Sequence, residues 1–142
     1  MEVTMPLANL NYVAVVVAAL AAFVLGAIWY SPLLFGKAWV AASGHSEEKL
    51  AQMEKTTAVR FAITLVAFLI MAGVIAEIAA IFGLVRVQGG VKLGLMLWVG
   101  FGLTLELIHT MYNARRWSAF LIDTGYTLVY LVVMGAIIAA WR

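Results

Sequence analysis

The residues of this chain best suited to chemistry are acids and a histidine inside long apolar segments. Glu106, His109 and Asn113 fall on one face of a helix, because residues three, four or seven positions apart share a side. Asp123 and Tyr126 have the same kind of spacing in the next apolar segment. A charge at membrane depth costs at least about 2.5 kcal/mol, so such residues need partners or line a pathway for ions. These five residues are predicted to form one intramembrane polar site.

The depth of these residues separates them into two layers. Counted at about 1.5 Å per residue from the flanking arginines, Glu106 lies about 13 Å deep, Asp123 about 10 Å and His109 about 9 Å. Glu77 lies about 25 Å from the same side, in another segment. Carboxylates near both sides of a membrane, with a histidine between them, are typical of a proton or cation path. The competing interpretation is structural, with His109 paired to Glu106 or Asp123. In it Glu77 stays protonated and Arg116 extends towards Asp123.

Metal binding and catalysis are weaker interpretations of the same residues. Glu106 and His109 have the Glu-x-x-His spacing that places a carboxylate and an imidazole on one helix face for a metal. Asp123 could complete a mononuclear site, or a second copy of the chain could supply another pair. No Gly-x-Ser-x-Gly nucleophile motif occurs, and Gly89-Gly90 lacks a phosphate-loop pattern. The sequence therefore predicts no particular cofactor and does not favour an enzyme.

The composition indicates the solvent in which these residues lie. Of the 142 residues, 65% are hydrophobic and 11% charged, against roughly half and about a quarter in a soluble domain. The net charge of +2, spread over nine scattered Lys and Arg, makes nucleic acid an unlikely partner. The absence of cysteine excludes a disulfide framework and a cysteine nucleophile. The lipid bilayer is the expected partner.

Four apolar runs are long enough to cross a bilayer core of about 30 Å as helices. The predicted fold is an all-α integral membrane protein, a four-helix transmembrane bundle forming one domain over residues 1–142. The predicted helices cover residues 10–31, 60–86, 92–114 and 117–141. An extended cytoplasmic loop, 32–59, joins the first two and contains a short helix capped by Ser46. Turns are expected at Gln88-Gly89-Gly90 and near residues 114–116.

The distribution of Lys and Arg predicts the orientation. With both termini outside the cytoplasm, six basic residues lie on the inner side and three on the outer side. The inner residues are Lys37, Lys49, Lys55, Arg60, Arg115 and Arg116, and the outer ones are Arg86, Lys92 and Arg142. The expected location is therefore a cytoplasmic (inner) membrane with both termini extracytoplasmic.

The first helix carries a packing stripe and an interfacial anchor. Small residues recur every fourth position, which permits close approach of another helix, within the chain or in a homodimer. The stripe consists of Ala14, Ala18, Ala22 and Gly26. Aromatic and basic residues at the inner end are expected to anchor it at the membrane surface. These anchors are Trp29, Tyr30, Lys37 and Trp39.

Residues 26–39, Gly-Ala-Ile-Trp-Tyr-Ser-Pro-Leu-Leu-Phe-Gly-Lys-Ala-Trp, and the C-terminal helix carry a resemblance to a known family. In that helix the matching parts are residues 121–126, 134–137 and Trp141. The chain resembles the domain of unknown function 1761 family over essentially its whole length. The resemblance implies four helices and a bacterial membrane, and it implies no activity.

Three functions are compatible with these features. The first is an oligomeric proton- or cation-linked transporter of a small solute, with Glu106, His109 and Asp123 at its inner site and Glu77 at its outer site. The second is a structural or accessory subunit of a membrane complex. The third is a binding protein for a metal or a hydrophobic cofactor. The acids within the apolar segments favour transport over the other two.

Overall fold

A computed structural model describes residues 9–142, and six continuous helices account for most of that range. The first eight residues, which the orientation prediction places outside the cytoplasm, lie outside the described residues. In chain order the elements are α1 (Tyr12–Trp29), α2 (Gly36–Ser43), α3 (Glu47–Lys55), α4 (Thr57–Ile81), α5 (Val87–Leu97), a π turn (Trp98–Gly102), α6 (Leu103–Tyr112) and α7 (Trp117–Ala140). Helices α5 and α6 and the π turn form one helix, Val87–Tyr112. Four helices (α1, α4, Val87–Tyr112 and α7) are long and apolar enough to cross a membrane, which confirms the predicted number.

The small residues of α1 pack inside the bundle. Ala14, Ala18 and Ala22 are at most 1% exposed, and α1 packs against both α4 and α7. A side chain at Gly26 would lie 2.4 Å from the hydroxyl oxygen of Tyr126. The stripe is therefore covered within one chain, and the expectation that it is available for a homodimer contact is wrong.

Helices α5 and α7 approach each other through glycines, one of which, Gly90, sequence analysis assigned to a turn. Gly90 lies inside α5, and a Cβ there would be 2.0 Å from the carbonyl oxygen of Gly135. A Cβ at Gly94 would lie 2.6 Å from the carbonyl oxygen of Leu131. The predicted turn at residues 88–90 is wrong, because these glycines allow backbone contact between helices. The chain turns earlier, at Gly83, whose φ of 64° ends α4 in the left-handed region.

The connector between α1 and α4 is largely helical, whereas an extended loop was predicted. Ser46 caps α3 by accepting a hydrogen bond from the Lys49 backbone N–H at 3.2 Å, which confirms that short helix. Helix α2 was not predicted. It follows a tight turn over residues 31–36, in which a Cβ at Gly36 would lie 2.5 Å from the Tyr30 carbonyl oxygen. The connector therefore folds back against the bundle, where α2 contacts α7.

A π turn before α6 and a tight turn after it set the direction of this helix. Within the π turn the Leu103 N–H bonds to the Trp98 carbonyl, and the Trp98 indole donates to the Thr124 carbonyl at 2.9 Å. The extra residue of a π turn rotates the faces that follow it relative to those before it. At the other end of α6, Ala114 adopts a φ of 49° in the predicted tight turn. Together these features place α6 alongside the start of α7.

Candidate functional site

Asp123, nearly two turns into α7, is contacted from two other parts of the chain. The Tyr30 hydroxyl, directly after α1, donates a hydrogen bond to Oδ1 of Asp123 at 2.5 Å. Arg115, in the turn before α7, donates through Nη2 to Oδ2 of the same carboxylate. Its other terminal nitrogen, Nη1, donates to Oε2 of Glu106 on α6 at 3.0 Å. We call Tyr30, Glu106, Arg115 and Asp123 the ion cluster.

The ion cluster has more negative than positive charge. Glu106, Arg115 and Asp123 are all partly buried, with 18% to 30% of each side chain exposed. Burial lowers the pKa of Arg115, but the hydrogen bonds and charges of Asp123 and Glu106 outweigh it and raise the pKa overall. Burial, followed by the hydrogen bond to Asp123, raises the pKa of the Tyr30 phenol. Arg115 is thus cationic and Tyr30 neutral. The carboxylate groups of Glu106 and Asp123 share the one guanidinium of Arg115.

The structure brings together Glu106 and Asp123, as the sequence predicted, and leaves His109 outside. His109 is exposed, and its Nδ1 lies 3.4 Å from the Asn113 amide nitrogen. Asn113 also donates to the His109 carbonyl at 2.9 Å. Among the described residues, His109 makes no hydrogen bond to either carboxylate. The predicted pairing of His109 with these acids is therefore not observed.

The basic partner of Asp123 also differs from the prediction. Arg116 was expected to extend towards Asp123, but its Nη1 donates to the Ala41 carbonyl on α2 at 3.3 Å. Arg115 takes that role because the left-handed residue Ala114 turns the chain so that Arg115 lies between α6 and α7. Sequence spacing allowed either arginine, and the turn decides between them.

A metal does not fit this arrangement. Within residues 9–142, no three His, Cys, Asp or Glu side chains lie close enough together to hold a metal ion. The guanidinium of Arg115 lies between the two carboxylates, which the weak metal-site prediction had combined with His109. A cation of the protein itself thus lies where a metal would have been held, and it balances one of the two negative charges.

Glu77 lies away from the ion cluster, as the depth count predicted. Glu77 is 8% exposed, and neither of its carboxylate oxygens has a hydrogen-bond partner within residues 9–142. Among the described residues the ion pairs are those of Arg115, so Glu77 has no ion-pair partner there. A buried polar group without a partner is destabilising.

A pocket of about 620 Å³ adjoins the ion cluster. It lies among α1, α2, α4 and α7, and its walls are mainly apolar and aromatic. The aromatic residues are Phe23, Tyr30, Trp39, Phe61, Phe68 and Tyr126. Polar groups reach the pocket from Arg60 and Thr64 on α4 and from Asp123 on α7. Tyr30 and Asp123 of the ion cluster therefore form part of the wall of a mainly apolar cavity.

The aromatic residues of this wall are held by hydrogen bonds and ring contacts. Tyr126 donates to the Ala22 carbonyl at 2.6 Å, and its ring centroid lies 5.4 Å from that of Tyr30. The Trp29 indole donates to the Ile122 carbonyl at 3.0 Å. The ring of Trp39 lies 6.0 Å from that of Tyr30. Three of the four predicted interface anchors thus contact the bundle, while Lys37 is exposed.

Sequence analysis missed Arg115 and Tyr30 as members of the site. One signal for Arg115 was available, since it lies between Glu106 and Asp123 in the chain and is next to a tight turn. Tyr30 offered no comparable signal, because 93 positions separate it from Asp123.

Comparison with known proteins shows the family of this chain. Residues 13–139 match the family described as protein of unknown function (DUF1761). The chain belongs to the DUF1761 family. This confirms the resemblance seen in the Trp-Tyr-Ser-Pro segment. The tyrosine of that segment is Tyr30 of the ion cluster, and the turn after it leads into α2. No significant match was found among curated proteins or among solved structures.

Proposed function

We propose that this DUF1761 protein is a proton-linked membrane carrier that binds an amphipathic small molecule in the pocket beside Asp123. The observation that carries the proposal is the shared wall between the aromatic pocket and the ion cluster. Small-molecule sites are typically concave and apolar, with a few polar groups that orient the ligand, and their volumes fall between about 300 and 1,000 Å³. The pocket, at about 620 Å³, lies within that range.

The acids support the proton-linked part of the proposal. Glu106 and Asp123 exceed Arg115 by one charge, so the cluster can accept one proton or one cation without becoming positive. Glu77 provides a second carboxylate at the opposite end of the helices, and it is buried without a partner in the part of the chain that the structure describes. Ionisable residues in membrane-length helices typically mark ion or proton pathways.

The proposed arrangement in the cell follows the charge count. The ion cluster and the connector 30–56 face the cytoplasm of a bacterium, and both termini lie outside. Four helices enclose little space, so the working unit is a homo-oligomer. Its contact uses outward faces of the bundle, since the small residues of α1 are already covered within the chain.

A flux assay tests the carrier. Protein reconstituted in liposomes containing a pH-sensitive dye is exposed to an organic cation (ethidium), an organic anion (anilinonaphthalene sulfonate) and a neutral aromatic alcohol. With at least one probe, the protein is expected to carry protons across the liposome membrane. The variants Glu106→Gln and Asp123→Asn should abolish this proton movement. Glu48→Gln on the exposed face of α3 is the matched control. Folded wild-type protein that moves protons with none of the three probes would overturn the carrier.

An accessory subunit is the second candidate. The observation that favours it is the saturation of Asp123, since both carboxylate oxygens already bond to protein groups from separate elements. Such a cluster can serve to hold helices together. Native mass spectrometry of the gently released protein distinguishes the candidates. A stoichiometric foreign subunit supports the accessory role, a retained hydrophobic molecule supports a resident cofactor, and a homo-oligomer alone supports the carrier.

A further inference from the structure

The geometry points to the class of ligand: we infer that the pocket binds a bulky organic monocation whose charge lies against the Asp123 carboxylate. The inference rests on the proposed ligand pocket and names what occupies it. Its basis is the combination of an excess negative charge with aromatic walls around one cavity.

The charge of the ion cluster is the first argument. Arg115 bonds to both Glu106 and Asp123, so three ionised groups leave one negative charge uncompensated. Counted as a pair, Arg115 and Glu106 are neutral, which leaves the negative charge of Asp123. The Asp123 oxygens accept from Tyr30 and Arg115 and have further lone pairs that can face a cation. A monocation would therefore bring the partly buried cluster to neutrality, which removes the cost of an unpaired charge. A dication or an anion would leave the cluster charged.

The walls of the pocket are the second argument. Six aromatic side chains line it, and three of them, Phe23, Phe61 and Phe68, carry no polar group. Aromatic faces attract cations electrostatically and offer apolar contact to the substituents of an organic ion. A small hydrated metal ion would leave most of this wall unused, whereas a bulky cation would cover it.

Arg60 is the group that opposes this assignment. It lines the pocket from the first turn of α4, and it is exposed, whereas Asp123 is only partly exposed. A charge in contact with water is screened more strongly than a partly buried one. The less exposed carboxylate of Asp123 therefore determines the sign of the charge that the pocket prefers, and the exposed Arg60 only weakens cation binding.

Protons compete with such a ligand for the same negative charge. The charged and titratable groups around Asp123 are Tyr30 beside α1, Lys37 and His45 around α2, Arg60 on α4, Glu106 on α6, Arg115 in the turn, and Tyr126 and Tyr130 on α7. A proton on Asp123 or Glu106 removes the excess charge and with it the attraction for the cation. Cation binding is thus expected to release a proton when the pH is low enough for the cluster to carry one.

The test uses two ions of nearly equal size and shape with opposite charge, tetraphenylphosphonium and tetraphenylborate. Binding to the full chain in lipid nanodiscs is measured by calorimetry, with empty nanodiscs subtracted. The wild-type protein is expected to bind the phosphonium at least tenfold more tightly than the borate. Asp123→Asn should weaken phosphonium binding at least tenfold, and Arg60→Gln should strengthen it severalfold. Glu48→Gln should leave it unchanged.

A second variant covers the case in which Asp123→Asn does not fold. Glu106→Gln keeps the Asp123–Arg115 pair but removes the excess charge, so it should also weaken phosphonium binding. Tighter binding of the borate, with a loss on Arg60→Gln, would overturn the cation assignment. Proton-linked flux of another solute without phosphonium binding would overturn it too and leave the carrier intact. Asp123-dependent phosphonium binding without flux would support the ligand class and contradict the carrier.

Discussion

The phenol oxygen of Tyr30 lies 2.5 Å from Oδ1 of Asp123, although 93 positions separate the two residues in the chain. This contact joins the end of α1 to the start of α7. Because Arg115 occupies the other oxygen of the same carboxylate, the Asp123 side chain is oriented from both sides. The contact thus links the Trp-Tyr-Ser-Pro segment to the proposed ligand site.

Replacing Tyr30 by phenylalanine tests this contact. Tyr30→Phe removes one hydrogen bond to a partly buried carboxylate and should reduce the free energy of unfolding by about 1 to 2 kcal/mol. Thermal unfolding in detergent, followed by circular dichroism, measures the change. Tyr112→Phe is the control, because Tyr112 is 88% exposed and should tolerate the change. Equal effects of the two variants would show that the hydroxyl of Tyr30 contributes nothing specific.

Arg115 and Arg116 are adjacent but should differ in importance. Arg115→Gln leaves Glu106 and Asp123 without their cation and should cost about 2 kcal/mol or more at neutral pH. Arg116→Gln removes a long bond to a backbone carbonyl and should cost less than about 0.5 kcal/mol. Unfolding curves at neutral pH check both statements, and equal deficits for the two variants would contradict them.

The glycine contact between α5 and α7 predicts a steric effect. Gly90→Ala would place a methyl group against the Gly135 backbone and should destabilise the bundle by about 1 to 3 kcal/mol. Gly100→Ala is the matched control, since nothing lies within 4 Å of a Cβ there. Alanine at that helical position should be neutral or stabilising by up to about 1 kcal/mol. The two melting temperatures, measured side by side, should therefore move in opposite directions or differ by several degrees.

We expect that removing the carboxylate of Glu77 stabilises the folded protein. Glu77→Leu replaces a buried polar group that has no hydrogen-bond partner among the described residues, so the melting temperature should rise by a few degrees. Glu77→Gln keeps a polar group and should not reproduce the full gain. The same two variants should abolish proton movement in the liposome assay. Unchanged proton movement in stable Glu77→Leu protein would remove Glu77 from the proposed proton path.

The number of membrane-length helices and the α3 cap followed from local sequence. Apolar run length determines whether a helix can span a bilayer, and the bond between Ser46 and the Lys49 N–H joins neighbouring residues. Gly90 shows where local reasoning failed. Glycine is common in turns and also where helix backbones touch, and only the position of α7 decides between the two.

The candidate site, too, was partly predicted by local sequence and partly decided by the tertiary structure. The sequence by itself placed Glu106 and Asp123 in one layer, because their depth follows from helix rise and the distance to the flanking arginines. Only the tertiary structure chose Arg115 over Arg116, excluded His109 and brought Tyr30 to the carboxylate. The physical reason is that depth depends on spacing along one helix, whereas a side chain's partner depends on how turns and helix packing orient separate parts of the chain.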